Sequence, residues 1–201
     1  MPRIRIIFEK CGLFTFVNHM DLPVIFARAA RRAGLSQEFT QGFSPHPRIS
    51  LAAPLAIGVE GFCEPADFWF EKWEAGSLER WDEMLPKGLN ILKGAEVPDG
   101  AALAKFVDAA LYRVTFCRGV LPLLAKEAAE NAANAIGALR GCEYNDGVLL
   151  ISVGDLERCG GGFFVKVFTE AGLIEGWSDL CIERLVTGAW DEETNSVRPL
   201  L

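Results

Sequence analysis

The chain opens on an alternating segment. Arg3-Ile4-Arg5-Ile6-Ile7-Phe8-Glu9-Lys10 sets apolar against polar positions at period two and predicts a half-buried strand. The period then changes. Leu22, Ile25, Phe26 and Ala29 or Ala30 form a helical stripe from Asp21, an N-cap type with Pro23 in the first turn, to Ala33, with Gly34 as the stop. A Gly/Pro-punctuated loop, residues 41–48, leads to a strand at Ile49–Ala53, and another strand runs from Phe62 or Cys63 to Trp73. Ser77 opens a helix to about Leu85, broken at Pro86, and Asn90–Val97 is the next strand. The order is β-α-β-β-α-β.

Pro98-Asp99-Gly100 reads as a boundary, after which the order recurs. The pattern predicts a strand at Tyr112–Arg118 and an alanine-rich helix at Leu121–Leu139. Strands at Val148–Val153 and Phe163–Thr169, a helix at Ser178–Val186 and a strand at Val197–Leu201 complete it. The expected architecture is therefore α+β, with two tandem ferredoxin-like (βαββαβ) halves, residues 1–98 and 99–201. No repeat at the level of individual residues accompanies the repeated order.

Composition narrows the setting. Half of the 201 residues are hydrophobic, enough for substantial cores, and no apolar run is long enough to span a bilayer. The strand-like N-terminus lacks the pattern of a signal peptide, so a cytoplasmic protein without membrane association is expected. The six cysteines are scattered without a CxxC or a Cys/His pair at ligand spacing, which points to buried thiols and to no metal or other cofactor.

Charge is distributed unevenly. Residues 1–60 hold seven basic and four acidic side chains, a balance of +3, whereas the whole chain carries −7, leaving −10 for the remainder. A net-acidic chain does not coat nucleic acid through bulk electrostatics, but a local basic groove can hold a phosphate or one RNA feature. Both histidines and four arginines fall between Asn18 and Gly58. Arg28 and Arg31 or Arg32 share a helix face, an arrangement equally typical of a solvated surface.

The segment Gln41-Gly42-Phe43-Ser44-Pro45-His46-Pro47-Arg48 is the chain's densest set of recognition groups. Gly42 permits a turn, and the two prolines stiffen the loop. Gln41, Ser44, His46 and Arg48 offer amide, hydroxyl, imidazole and guanidinium groups to a polar or phosphorylated ligand. The plainer reading is a structural turn. His46 is also the candidate general acid or base, with Asp21 or Ser44 as helper, although no nucleophile-elbow pattern accompanies it. Gly160-Gly161-Gly162 precedes a predicted strand and so reads as a hairpin connection, not a phosphate loop.

These residues carry a family resemblance. Phe8-x-Lys10-x-Gly12, His19-x-Asp21, Arg28-Ala29-x-Arg31-Arg32-Ala33-Gly34-Leu35, the run Gln41–Ser50, Pro54-Leu55-x-x-Gly58 and Pro86-x-Gly88-Leu89 occur in order. Together they resemble the radical-SAM-linked family of unknown function, DUF2344. The chain departs from that family's pattern at Asn18, Pro23-Val24 and Gly61. The resemblance implies an accessory protein fused to, or encoded beside, a B12-binding radical SAM protein. The chain has no C-x3-C-x2-C cluster motif, so it would be the partner and not the radical enzyme.

The expected function is non-catalytic substrate recognition in RNA modification. His19, Arg28, Arg31, Arg32, Gln41, Gly42, Phe43, Ser44, His46 and Arg48 are the expected ligand-binding residues. An autonomous RNA-processing or RNA-modifying enzyme using His46, and a purely structural adaptor, are the alternatives.

Overall fold

A computed structural model describes residues 1–117 and 119–201. Chain order is β1 (Arg3–Lys10), α1 (Leu22–Arg32), β2 (Ile49–Leu51), β3 (Glu60–Trp69), α2 (Ser77–Asp82) and β4 (Leu89–Val97). It continues with β5 (Ala109–Phe116), α3 (Pro122–Ala135), β6 (Leu139–Asn145), β7 (Val148–Val153), α4 (Gly161–Glu170), β8 (Leu180–Asp191) and β9 (Ser196–Arg198). The result is an α+β protein with one mixed sheet of order β4-β1-β3-β8-β5-β7-β6. β2 is added on β3, and β9 on β8.

Within the first set of strands, β1 lies antiparallel between β4 and β3, and β2 pairs antiparallel with β3. In the second set, β5 lies antiparallel between β8 and β7, and β6 pairs antiparallel with β7. The sets join through a short parallel contact, Glu60 with Glu183 and Gly61 with Arg184.

Two apolar clusters lie against this sheet. One gathers Ile4, Ile6 and Phe8 of β1 with Leu22 and Phe26 of α1, Phe68 of β3 and Trp81 of α2. Its aromatic rings meet edge to face, with Phe26 5.1 Å from Phe8 and 5.2 Å from Phe68. The Trp81 indole N–H donates to the Phe26 carbonyl at 3.1 Å, so the buried ring leaves no polar atom unpaired. The second cluster combines β5, β7 and β8 with Ala125, Ala129 and Ala133 of α3 and Phe164 and Phe168 of α4. Leu55 and Val59, from the connection between β2 and β3, also pack into this second cluster. That connection ties the two sets of elements together.

Three expectations are corrected. Residues 163–169 are helical within α4, not a strand: the buried residues Gly161, Phe164, Val165 and Phe168 follow i, i+3, i+4, i+7 spacing. The β-favouring residue types Phe and Val masked that period. Residues 180–186 are the start of β8, not a helix, and bury Leu180, Ile182 and Arg184 alternately. Gly160-Gly161-Gly162 therefore leads into a helix rather than a hairpin. Gly161 is required by close packing, since a Cβ there would lie 2.5 Å from Val59 Cγ2. β6 was not anticipated, and Arg118, placed at the end of an expected strand, lies outside the described residues.

Candidate functional site

Helix α1 ends in a left-handed turn at Gly34 (φ +75°), where Leu35 N–H donates to the Ala30 carbonyl at 2.9 Å. The chain then runs extended beside the end of β3. Glu71 N–H donates to Ser36 O at 2.9 Å, and Glu38 N–H to Trp69 O at 2.8 Å. It folds back on itself, with Arg48 N–H donating to Glu38 O at 2.7 Å and Thr40 N–H to His46 O at 2.8 Å. The ribbon thus extends the sheet beyond β2 and faces α1 across a gap.

That gap is a cavity of about 620 Å³. Helix α1 contributes Pro23, Val24, Ala27, Arg28 and Arg31. The ribbon contributes Leu35, Ser36, Gln37, Phe39, His46 and Pro47, β2 contributes Ile49, and Glu71 stands on the lining as well. The walls are mainly apolar, with two guanidinium groups, one imidazole, one amide, one hydroxyl and one carboxylate among them. A volume of this order suits a small organic ligand.

The polar groups are unequally engaged. Arg28 and Arg31 are exposed and have no ion pair or hydrogen-bonded partner among the described residues. The His46 ring is held through Nδ1, which lies 3.1 Å from Thr40 Oγ1 and 3.3 Å from Ser44 O. Nε2 is thereby left as the imidazole's outward group, an acceptor in one tautomer and a donor in the other. Gln37 is 8% exposed, and its Nε2 is buried without a hydrogen-bond acceptor.

The other expected ligand-binding residues are distributed differently. Arg32 lies outside the cavity lining and donates to Met84 O at 2.6 Å. Arg48 stacks over Trp69 at 4.1 Å from the ring centroid and pairs with Glu38 at 3.2 Å and Asp99 at 3.6 Å. Gln41, Gly42, Phe43 and Ser44 form the exposed tip of the ribbon, with Gly42 at φ +131° and the Phe43 ring fully in solvent. Asp21 occupies the N-cap position of α1 without a side-chain capping bond. Asn18 instead accepts from Met20 N–H in the preceding turn. Neither Asp21 nor the Ser44 hydroxyl hydrogen-bonds to His46 among the described residues.

His19 belongs to a different cluster, at the junction of the two strand sets. Its Nδ1 accepts from Leu55 N–H at 3.4 Å. Nearby, the fully buried Arg184 donates to Glu64 twice at 2.7 Å, to Ala53 O and Pro54 O at 2.9 Å, and to Tyr112 Oη at 3.4 Å. Thr187 donates to the same carboxylate. Lys10, also fully buried, donates to Val17 O at 2.8 Å. Burial, reinforced by the Arg184 charge and opposed by Glu64, pulls the pKa values of His19 and Lys10 below their ordinary values. Burial pushes the Tyr112 phenol up.

Sequence reasoning missed Gln37, Phe39 and Glu71 as lining residues, and missed the Lys10–Glu64–Arg184 cluster. Alternation was the available clue for Gln37: it stands between Leu35 and Phe39 on the same face of an extended segment.

Among the described residues, no three His, Cys, Asp or Glu side chains gather as a metal site, and no helix is long and apolar enough to cross a membrane. No curated protein matches the chain. Residues 3–145, well over half the chain, match a family described as an uncharacterized protein conserved in bacteria, DUF2344, and the chain belongs to that family.

Proposed function

We propose that this protein is a substrate-recognition partner of a B12-binding radical SAM protein in RNA modification, without independent catalysis. In this reading it is a cytoplasmic protein of two ferredoxin-like halves, residues 1–98 and 99–201. The resemblance of its motifs to a radical-SAM-linked family motivates the partner. The strand orders β4-β1-β3-β2 and β8-β5-β7-β6 support the two halves.

One observation carries the recognition role: Arg28, Arg31 and His46 line a single, largely apolar cavity, with both guanidinium groups unpaired among the described residues. An unpaired arginine beside an apolar wall suits a ligand that combines an apolar or aromatic body with an anion. Arg48 and Arg32, held by their own partners, contribute to the shape of the surrounding surface. His46 as an acid/base catalyst is a second reading, favoured by the fixing of Nδ1 with Nε2 left outward. It predicts turnover by the isolated chain that His46→Ala abolishes.

The deciding experiment is retention of partners by the tagged chain from native lysate, with and without ribonuclease, beside the Arg28→Ala/Arg31→Ala variant. A radical SAM protein retained after ribonuclease, with RNA retained by the parent chain and lost by the variant, is the expected result. RNA retained equally by the variant would remove the cavity from the recognition surface. Absence of any radical SAM protein would remove the partnership.

A further inference from the structure

Several large apolar side chains stand in solvent around one connection. Leu13 and Phe16 belong to the 3₁₀ turn Gly12–Phe16, Met20 to the turn His19–Asp21, and Trp177 to the turn Trp177–Asp179. Ile57 lies in the connection between β2 and β3 itself. Leu13, Met20 and Phe16 are 89%, 77% and 66% exposed, so the turns carry them outside both core clusters. Residues three apart eclipse one another in a 3₁₀ turn, which puts Leu13 and Phe16 on one face.

Backbone and packing contacts bring the three turns to the same place. Gly58 N–H donates to Thr15 O at 3.1 Å and sets the first turn beside Ile57. Leu55 N–H donates to His19 Nδ1 at 3.4 Å and sets the second turn against the same connection. A Cβ at Gly161 would lie 3.5 Å from Ala56 Cβ and 3.6 Å from Trp177 Cη2, so the third turn meets the connection across the start of α4. Apolar groups exposed singly are ordinary on a protein surface. Their gathering at the junction of the two strand sets is the signature of a surface that another molecule covers.

Charge selects the molecule. Residues 11–21, 53–60 and 172–179 hold Asp21, Glu60, Glu175 and Asp179 and no lysine or arginine. Asp21 and Glu175 are exposed, whereas Glu60 accepts from Gly12 N–H and Asp179 is buried. Such a rim repels phosphate, whether of RNA or of an anionic bilayer. A second copy would set the same carboxylates against each other across a two-fold axis, on a chain that already carries −7. A protein that offers apolar anchors ringed by lysine or arginine suits both the patch and its rim.

We propose that this junction patch docks the radical SAM partner, through an apolar surface with a basic rim on that protein. The proposal deepens the partnership put forward above and rests on it. The two tasks then fall to different elements: the cavity beside α1 takes the substrate, and the 3₁₀ turns hold the partner.

The probe is the radical SAM protein retained by the tagged chain, purified and titrated by calorimetry into full-length variants. These are the parent chain, Phe16→Ser/Met20→Ser, Asp21→Asn/Glu175→Gln, and Leu92→Ser, which changes an exposed leucine on β4. Truncating interface anchors predicts binding weaker by at least about tenfold in Phe16→Ser/Met20→Ser. Neutralising the rim should weaken binding less, and rising salt should shrink that difference. Leu92→Ser should bind as the parent does. All the altered side chains are exposed, so the thermal midpoints of the free chains should match. If Phe16→Ser/Met20→Ser is destabilised, the rim variant, which leaves every apolar group in place, decides the matter.

The outcomes separate the two levels. A radical SAM protein bound equally by the parent, Phe16→Ser/Met20→Ser and the rim variant overturns this surface and leaves the partnership standing. Retention of no radical SAM protein overturns the partnership and this surface with it. A parent chain that dimerises in sedimentation velocity, with the dimer lost in Phe16→Ser/Met20→Ser, assigns the patch to a second copy and overturns the proposal. Equal weakening by Leu92→Ser overturns it as well, because exposed apolar area anywhere would then serve.

Discussion

Arg184 and Arg28 carry the same guanidinium group in opposite circumstances. Arg184 is fully buried and spends its donors on Glu64, two backbone carbonyls and Tyr112. Arg3 and Arg5 are similar, sharing Asp67 at 2.5 and 2.8 Å, with Arg3 also reaching Pro98 O and Ala101 O. Arg28 and Arg31 stay exposed beside a cavity with their donors unspent. Desolvating a charge is costly, so the buried set must be matched in full, and each member holds together segments distant in sequence. The rim pair forms no such bond among the described residues, and its donors remain available. The same residue type thus marks structure in one region and recognition in the other, and its state of pairing tells them apart.

The comparison breaks most visibly at Glu64. Glu64→Gln leaves Arg184 buried with its charge uncompensated, which should cost about 3–5 kcal/mol in urea unfolding. The Glu64→Leu/Arg184→Met double variant should recover part of that loss, since it removes both members of the ion pair, although buried Lys10 then loses the nearby Glu64 charge. It will not recover all of it, because Ala53 O and Pro54 O lose their donor. A double variant as unstable as Glu64→Gln would show that backbone pinning, not charge matching, dominates at this junction.

Gly161 tests the same junction by packing. A methyl group there meets Val59 Cγ2 at 2.5 Å, and Val59 is anchored in the second core cluster. Gly161→Ala should therefore destabilise by about 1–3 kcal/mol, the usual cost of overpacking. Adding Val59→Ala opens room for the new methyl, so the two changes together should cost less than the sum of each alone. Strict additivity would place the close approach elsewhere.

How much of this could be read beforehand depended on whether the decisive property was local. The alternation in Arg3–Lys10 and the stripe in α1 are local patterns, and both elements formed, but β1 is buried on both faces, with Arg3, Arg5 and Lys10 inside, where a half-buried strand was expected. The convergence of Arg28, Arg31 and His46 could only be suspected, because the pairing of the ribbon with the end of β3 brings them together. Phe163–Thr169 misled because residue type pointed to a strand while burial followed a helical period, the fold overriding intrinsic preference. β8 was obscured by Arg184, a charge at a buried position that disguises the alternation of its neighbours. A charge whose counter-charge is 120 residues away carries no local sign of being matched.

His19 yields a smaller, pH-dependent effect. Burial first, with the Arg184 charge added, lowers its folded-state pKa below the ordinary 6.5. The unfolded chain therefore takes up a proton more readily than the folded one. Stability linked to His19 is fully present above about pH 6.5 and is lost as pH falls toward the depressed folded value. Geometry agrees, because the Leu55 N–H needs an unprotonated Nδ1 as acceptor. Urea midpoints measured between about pH 7.5 and 5.5 should fall more steeply for the parent chain than for His19→Gln. Parallel curves would assign the acid sensitivity to other groups.

The smallest expected change in stability falls on the rim, where it sharpens the comparison most. Arg28→Ala and Arg31→Ala remove side chains with no ion pair among the described residues, from a helix in which alanine is the best former. Each should alter unfolding free energy by no more than about 0.5 kcal/mol in urea denaturation. One feature works against the change: Arg31 stands in the last turn of α1, where a positive charge favours the helix dipole by about 0.3–1 kcal/mol. Arg31→Ala should consequently be the slightly worse of the two, and raising the salt concentration should shrink the gap between them. A loss on the scale of Glu64→Gln would mean that the rim arginines are structural after all, and the division between spent and unspent guanidinium groups would fail.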